Sequence, residues 1–261
     1  MTRRLKFTVL GCGSSGGVPR LGRNWGECNP DNIRNRRRRC SLLIQKIDGD
    51  AQTVALVDTS PDMREQLLDA DVGHLDAVIY THSHADHVNG LDDLRMVYHI
   101  RGSRVPVWAD PATAAALQRR FGYAFKQPQG SSYPPILDLH LYEDEVRIAG
   151  EGGTLDIKAF PVMHGETDCV GLRVGDLAYL PDVSEMYDSS WEALRGIDCW
   201  IVDALRRRPH PSHVHLAKSL RWIARVAPRQ AYLTNMHVDL DYDTVKAETP
   251  DNVCPAHDGL V

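Results

Sequence analysis

No run in this 261-residue sequence stays apolar for the ~20 residues that a membrane-spanning helix requires, which argues against a spanning role. Basic residues are not in excess either. Thirty Lys and Arg against 35 Asp and Glu give a formal charge of −5, the wrong sign for a stable, broad grip on nucleic acid. Cysteine is sparse and unpatterned: Cys12, Cys28, Cys40, Cys169, Cys199 and Cys254 fall at irregular intervals. The N-terminus places arginines before an apolar stretch, but glycines interrupt after Phe7–Leu10, short of the ~7–15 apolar residues of an export signal. The thiols are therefore expected to be reduced, in a cytoplasmic protein. Internal repeats, low-complexity tracts and an interdomain linker are also missing. With 43% hydrophobic and 25% charged residues, 1–261 reads as one globular α/β domain with a sizeable core.

What is present is a regular alternation of elements. Strands are expected at Lys6–Leu10, Ser41–Gln45, Val54–Asp58 and Ala77–Thr81, each β-branched or apolar and bounded by Gly, Asp or Pro. Pro61–Ala70 and Ala112–Phe121 read as helices, and 126–135 as an irregular loop long enough for a lid or a contact surface. Further strands are expected at Glu145–Ile148, Leu155–Pro161, Val170–Val174, Leu177–Leu180 and Ala231–Thr234. Val170–Val174 and Leu177–Leu180 are joined through Gly175-Asp176, a hairpin signal, and Leu216–Arg225 is an amphipathic helix.

The chemistry concentrates in THSHADH, directly after the strand that ends near Tyr80. His82, His84, Asp86 and His87 are imidazole and carboxylate donors of the kind that bind zinc, manganese, iron or cobalt. A strand end is where open α/β sheets place their sites. His82 and His84, two apart, would point the same way from extended chain, while Asp86 and His87 follow a change of direction.

With this H-x-H-x-D-H motif the sequence resembles the metallo-β-lactamase superfamily, whose fold is a four-layer αβ/βα sandwich with a binuclear metal site along one edge. The remaining ligands occur in order: His164 in PVMHG, Asp182 in YLPD and His237 in LTNMH, each after an expected strand. The resemblance implies that His82, His84 and His164 hold one ion, that Asp86, His87 and His237 hold the other, and that Asp182 bridges them. Aspartate at the bridging position, where many antibiotic-degrading members carry cysteine, points away from β-lactamase activity. The motif also lacks the glutamate of oxygen-reducing relatives. Two divalent ions, Zn or Mn, ~3.5–4 Å apart would lower the pKa of a shared water from ~15.7 to ~7, giving a hydroxide nucleophile and making hydrolysis the expected reaction.

The likeness is closest to the phosphodiesterase branch, which comprises tRNase Z-like enzymes and the PhnP-type cyclic-phosphate phosphodiesterases of the carbon–phosphorus lyase pathway. A histidine protonates the departing alkoxide in those enzymes. By the resemblance that role falls to His215, 22 positions before His237, with Asp203 as its acidic partner and Asp86 as a further catalytic carboxylate. His213 is a second candidate, and His210 is read as structural. Asp58 would support the ligands from behind, or cap a helix. Ser14, in the glycine turn GCGSSGG, and Arg36, in the run Arg34–Arg39, are the candidate substrate contacts, although such a run is more often a solvated face. PhnP-type relatives also hold a structural zinc on a C-x-C-x-x-C cluster, of which only Cys28 stands here.

The expected substrate is a small phosphodiester or nucleotide, with Tyr123, Phe125 and Tyr133 available to stack a base or to pack a homodimer. A tRNA 3′-processing nuclease is weakened by the mere 17 residues between His164 and Asp182, which leave no room for a tRNA-gripping insertion. Thioester or lactone hydrolysis, and a non-enzymatic nucleotide sensor, are the remaining readings.

Overall fold

The computed structural model describes residues 4–261, which form two compact units. The first comprises the chain up to Leu10, Ser41–Asp156 and Val261; the second comprises Gly11–Cys40 and Ile157–Leu260. The units are thus interleaved along the sequence.

The first unit is built on a sheet in the order β1 (Arg4–Gly11), β2 (Ser41–Asp48), β3 (Ala51–Val57), β4 (Ala77–Ile79), β5 (Val105–Ala109), β6 (Leu137–Leu141). β2 and β3 form an antiparallel hairpin that sets Leu43 opposite Leu56, and β3 to β6 are parallel. Leu43, Leu56, Val78 and Val107 are buried, as parallel strands covered on both faces require. The core is completed by helices α1 (Met63–Asp69), α2 (Ala85–Val88), α3 (Leu94–Arg101) and α4 (Pro111–Phe125), through Met63, Val88, Leu94 and Leu117. Asp110 caps α4 by accepting from the Ala112 and Thr113 N–H groups, with Pro111 at the first helical position. A short strand, β7 (Glu145–Ile148), follows.

The second unit contains β8 (Leu155–His164), β9 (Thr167–Val174), β10 (Leu177–Leu180), β11 (Glu185–Met186), α5 (Asp188–Ala193), β12 (Cys199–Asp203), α6 (Leu216–Val226), β13 (Gln230–Thr234), α7 (Tyr242–Glu248) and β14 (Val253–Pro255). Its strand order is β11-β8-β9-β10-β12-β13-β14. β8 and β9 form a hairpin, while β10, β12, β13 and β14 run parallel. Trp200, Tyr179, Val202 and Leu233 are buried on these strands. Each sheet therefore directs the C-terminal ends of a parallel set toward one edge, where functional side chains collect. The expected mixed α/β architecture with two sheets is met. Among the described residues no helix is long and apolar enough to cross a membrane.

The basic run is only partly a solvated face. Arg37 is only 2% exposed and reaches Asn35 Oδ1 at 3.2 Å; Arg38 pairs with Asp258 at 3.1 Å; Arg34 lies over the Tyr242 ring. Buried Arg37 and half-buried Arg38 tie this stretch to the rest of the second unit, whereas Arg34 is exposed beside its ring. Arg36 is exposed. Cys28 packs with Val18, Val238 and Trp25, and the metal-ligand groupings among the described residues contain no cysteine.

Candidate metal centre

The first unit gathers its ligand candidates behind β3 and β4. β3 stops at Val57, and Asp58 turns the chain with φ of +60°, a left-handed conformation that aspartate tolerates better than most residues. This turn buries the carboxylate completely. Its Oδ1 accepts the Thr81 N–H at 2.8 Å, and its Oδ2 accepts from Thr81 Oγ1 and His87 Nδ1, both at 2.8 Å. Because the Thr81 hydroxyl donates to Asp58, its oxygen is left to accept from His82 Nδ1 at 3.0 Å. One aspartate thus fixes two imidazoles. Burial pushes its carboxyl pKa up, opposed by His87 and the Thr81 donors. Asp58 is not a helix cap, since α1 begins after Asp62.

The His82 ring centroid lies 4.6 Å from that of His84 and 4.2 Å from that of His87. Half-buried Asp86 sits on α2 with Oδ2 3.6 Å from His87 Nε2. Gly90 lets α2 approach the Asp58 turn: its N–H donates to Thr59 O, and a Cβ there would lie 2.0 Å from Ser60 O. Only glycine fits at this distance.

The second unit gathers another set. His164 is the last residue of β8, Asp182 follows β10, and His213 lies before α6; one ligand atom from each lies within 4.8 Å of the others. His164 Nδ1 donates to Ser212 O at 2.6 Å. Asp182 Oδ1 accepts from Asn235 Nδ2 at 3.2 Å and lies 3.5 Å from His213 Nδ1. Asn235, like Asp58, takes a positive φ directly after a strand.

Asp203, at the end of β12, meets His213 and not His215, with Oδ2 to Nδ1 at 2.9 Å. The pairing expected for His215 is corrected by this geometry: the chain between β12 and α6 folds His213 back over the strand end. His215 instead occupies the cap position of α6 without a side-chain cap bond. Burial, with Arg221 and Lys218, lowers its pKa, disfavouring the protonated form an acid needs. Burial also pushes the Asp203 carboxyl up, to about 7, against the pull of His213. His210 Nδ1 accepts from the Ser212 N–H at 3.3 Å.

His237 follows β13, with Nδ1 bonded to Asp239 Oδ1 at 3.1 Å. Ser14 is buried, its N–H donating to Met236 O at 3.2 Å, and its hydroxyl finds no hydrogen-bond partner among the described residues. The sequence alone does not mark Thr81, Ser212 and Asn235, because their roles depend on partners at strand ends far away in the chain.

The donors suit a divalent cation. All are imidazole nitrogens or carboxylate oxygens, and His82, His87, His164, His213 and His237 are each held through Nδ1. Metal-binding histidines are oriented in this way, by a bond from the ring nitrogen remote from the ion.

Residues 53–236 match the family described as the β-lactamase superfamily domain. The chain belongs to the metallo-β-lactamase superfamily. A solved structure described as a new diphosphatase from the PhnP family shares 36% identity, with a TM-score of 0.88 over 98% of this chain and 96% of that one. Zn(2+)-bound PqqB from Methylobacterium extorquens shares the fold, with a TM-score of 0.74 at 18% identity over 99% of both chains. An octanoyltransferase of Porphyromonas gingivalis is 30% identical over 98% of this chain, which spans only 51% of that longer protein. Superfamily membership and the His/Asp clusters fit a metal-dependent hydrolase fold, similar to that of the PhnP-family structure.

Proposed function

We propose that the protein is a binuclear metal-dependent phosphodiesterase acting on small cyclic or nucleotide phosphodiesters. In this reading His82, His84, Asp86, His87, His164, Asp182 and His237 would hold the two ions. Bound there, zinc or manganese would polarise the phosphoryl oxygen and acidify water. Everything else falls to the protein. Asp58 fixes His87 directly and His82 through Thr81; Asn235 orients Asp182; Ser212 O orients His164.

The observation that carries the reaction class is the His213–Asp203 pair. Asp203 holds the Nδ1–H of His213 and stabilises the imidazolium, so that Nε2 can deliver its proton to a departing alkoxide. We assign this role to His213 in place of His215. The part-buried His213–Asp203 contact adjoins Asp182, a candidate ligand, which supports placing the acid beside the reacting phosphorus. Ser14 and Arg36 remain proposed substrate contacts.

His213→Gln should lower kcat on alkyl phosphodiesters about 10²–10⁴-fold, and far less on p-nitrophenyl esters, whose leaving group needs no proton. His215→Gln should change neither much. An equal loss on both substrate types with His213→Gln would remove His213 as the acid. The 36%-identical diphosphatase supports a second reading, cleavage of a P–O–P bond. A screen that pairs linear and cyclic phosphodiesters with nucleotide diphosphates separates the two.

A further inference from the structure

The first unit contains a cavity of about 350 Å³ that none of the metal ligands line. Arg95 of α3 and Tyr123 of α4 form one side, Ser131, Tyr133 and Pro134 of the 126–135 loop form another, and Ile136 lies at the base. Tyr133 is 72% exposed and Tyr123 43%, so two aromatic rings face outward instead of serving the core.

The loop is nevertheless fixed. Gln127 Nε2 donates to Ser131 O at 2.5 Å, the Tyr133 N–H donates to Ser131 Oγ at 3.1 Å, and the Ile136 N–H bonds to Ala124 O at 2.9 Å. Tyr123 Oη donates to Asp92 Oδ1 at 3.1 Å, and the same oxygen accepts from Arg95 at 3.2 Å. Burial and this bond raise the Tyr123 pKa, so the phenol stays a donor.

The cavity and the ligand cluster share elements. Asp92 and Arg95 come directly after α2, which carries Asp86 and His87. One turn before Tyr123, Arg120 donates to Ser83 O at 2.5 Å, between His82 and His84. The walls offer two phenol rings and a guanidinium beside Pro128, Pro134, Ala124 and Ile136. Flat π surfaces of this kind receive a planar ring better than an alkyl chain.

We propose that this cavity binds the nucleobase of a nucleotide substrate, stacked against Tyr133 and Tyr123. The inference rests on the phosphoester reading above and specifies its substrate. Calorimetric titration of the metal-loaded protein with AMP and with ribose 5-phosphate isolates the base, since both carry the same phosphate. AMP should bind about tenfold or more tightly than ribose 5-phosphate, the scale of one or two stacked contacts. Tyr133→Ala should bring the ratio close to one, and Tyr133→Phe should retain it.

A ratio near one in the unaltered protein would overturn the proposal. So would a preference that survives both Tyr133→Ala and Tyr123→Ala. Hydrolysis of bis(p-nitrophenyl) phosphate by the unaltered protein tests the parent reading independently. If hydrolysis occurs without AMP preference, only the base pocket falls. If AMP preference persists without hydrolysis of any phosphoester, the catalytic reading falls and the pocket stands.

Discussion

Asp58 shows how much one side chain can organise. It is wholly buried, sits in a left-handed turn and receives three donors, two of which lead to imidazoles. Asp58→Ala should weaken divalent-metal affinity about 10–100-fold, as loss of a ligand-orienting carboxylate does. Competition with a chromophoric chelator measures this, and unchanged affinity would show that His82 and His87 hold their orientation unaided. The ligand candidates were legible in the sequence because imidazole and carboxylate at H-x-H-x-D-H spacing have few other uses. The proposed acid was less legible. His213 and His215 lie two apart in the same irregular segment, and only the fold shows which one Asp203 meets.

At the scale of elements, the N-terminal end of α7 anchors a distant segment. Asp241 accepts from the Thr244 N–H at its own helix, from the Asn29 N–H and from Asn35 Nδ2, at 3.0, 3.0 and 2.7 Å. Burial alone would raise its pKa, but these donors outweigh it and bring the carboxyl down to about 2. The stabilisation is therefore complete above the ordinary aspartate pKa of ~3.9 and is lost as pH falls from there through about 2. Asp241→Ala should cost about 1–2 kcal/mol near pH 7, the usual range for a lost helix cap, and less at pH 2. Urea unfolding at the two pH values checks this, and an equal cost at both would show that charge is not involved.

Where local signals are strong, sequence and structure agree closely. Glu145–Ile148 and Leu177–Leu180 match the expected bounds, and Leu216–Val226 differs from its expectation by one residue. The signals failed where tertiary contacts decide. β5 and β6 owe their pairing to parallel neighbours far off in sequence, and α3 follows a 3-10 turn that masks its start. β3 and β4 end at Val57 and Ile79, short of their expected bounds, because Asp58 and the residues after Ile79 leave the ladder for the site.

For the whole molecule, metal and folding should be linked. Ions that bind only the folded chain stabilise it by about 2.7 kcal/mol at a hundredfold excess over Kd. In a chain of this size that corresponds to about 2–4 °C of Tm for each kcal/mol. Chelation should lower Tm accordingly, and added Zn²⁺ or Mn²⁺ should restore it; a Tm indifferent to both would count against resident ions.

The interleaving of the two units also bears on synthesis. The first has all its strands and helices by Asp156, whereas residues 11–40 leave the ribosome long before their companions. Asn35 awaits Asp241, and Arg38 awaits Asp258, more than 200 positions later. Nascent chains should therefore carry this arginine-rich stretch unprotected until translation is nearly finished, and no fragment cut at Asp156 would contain all of the second unit.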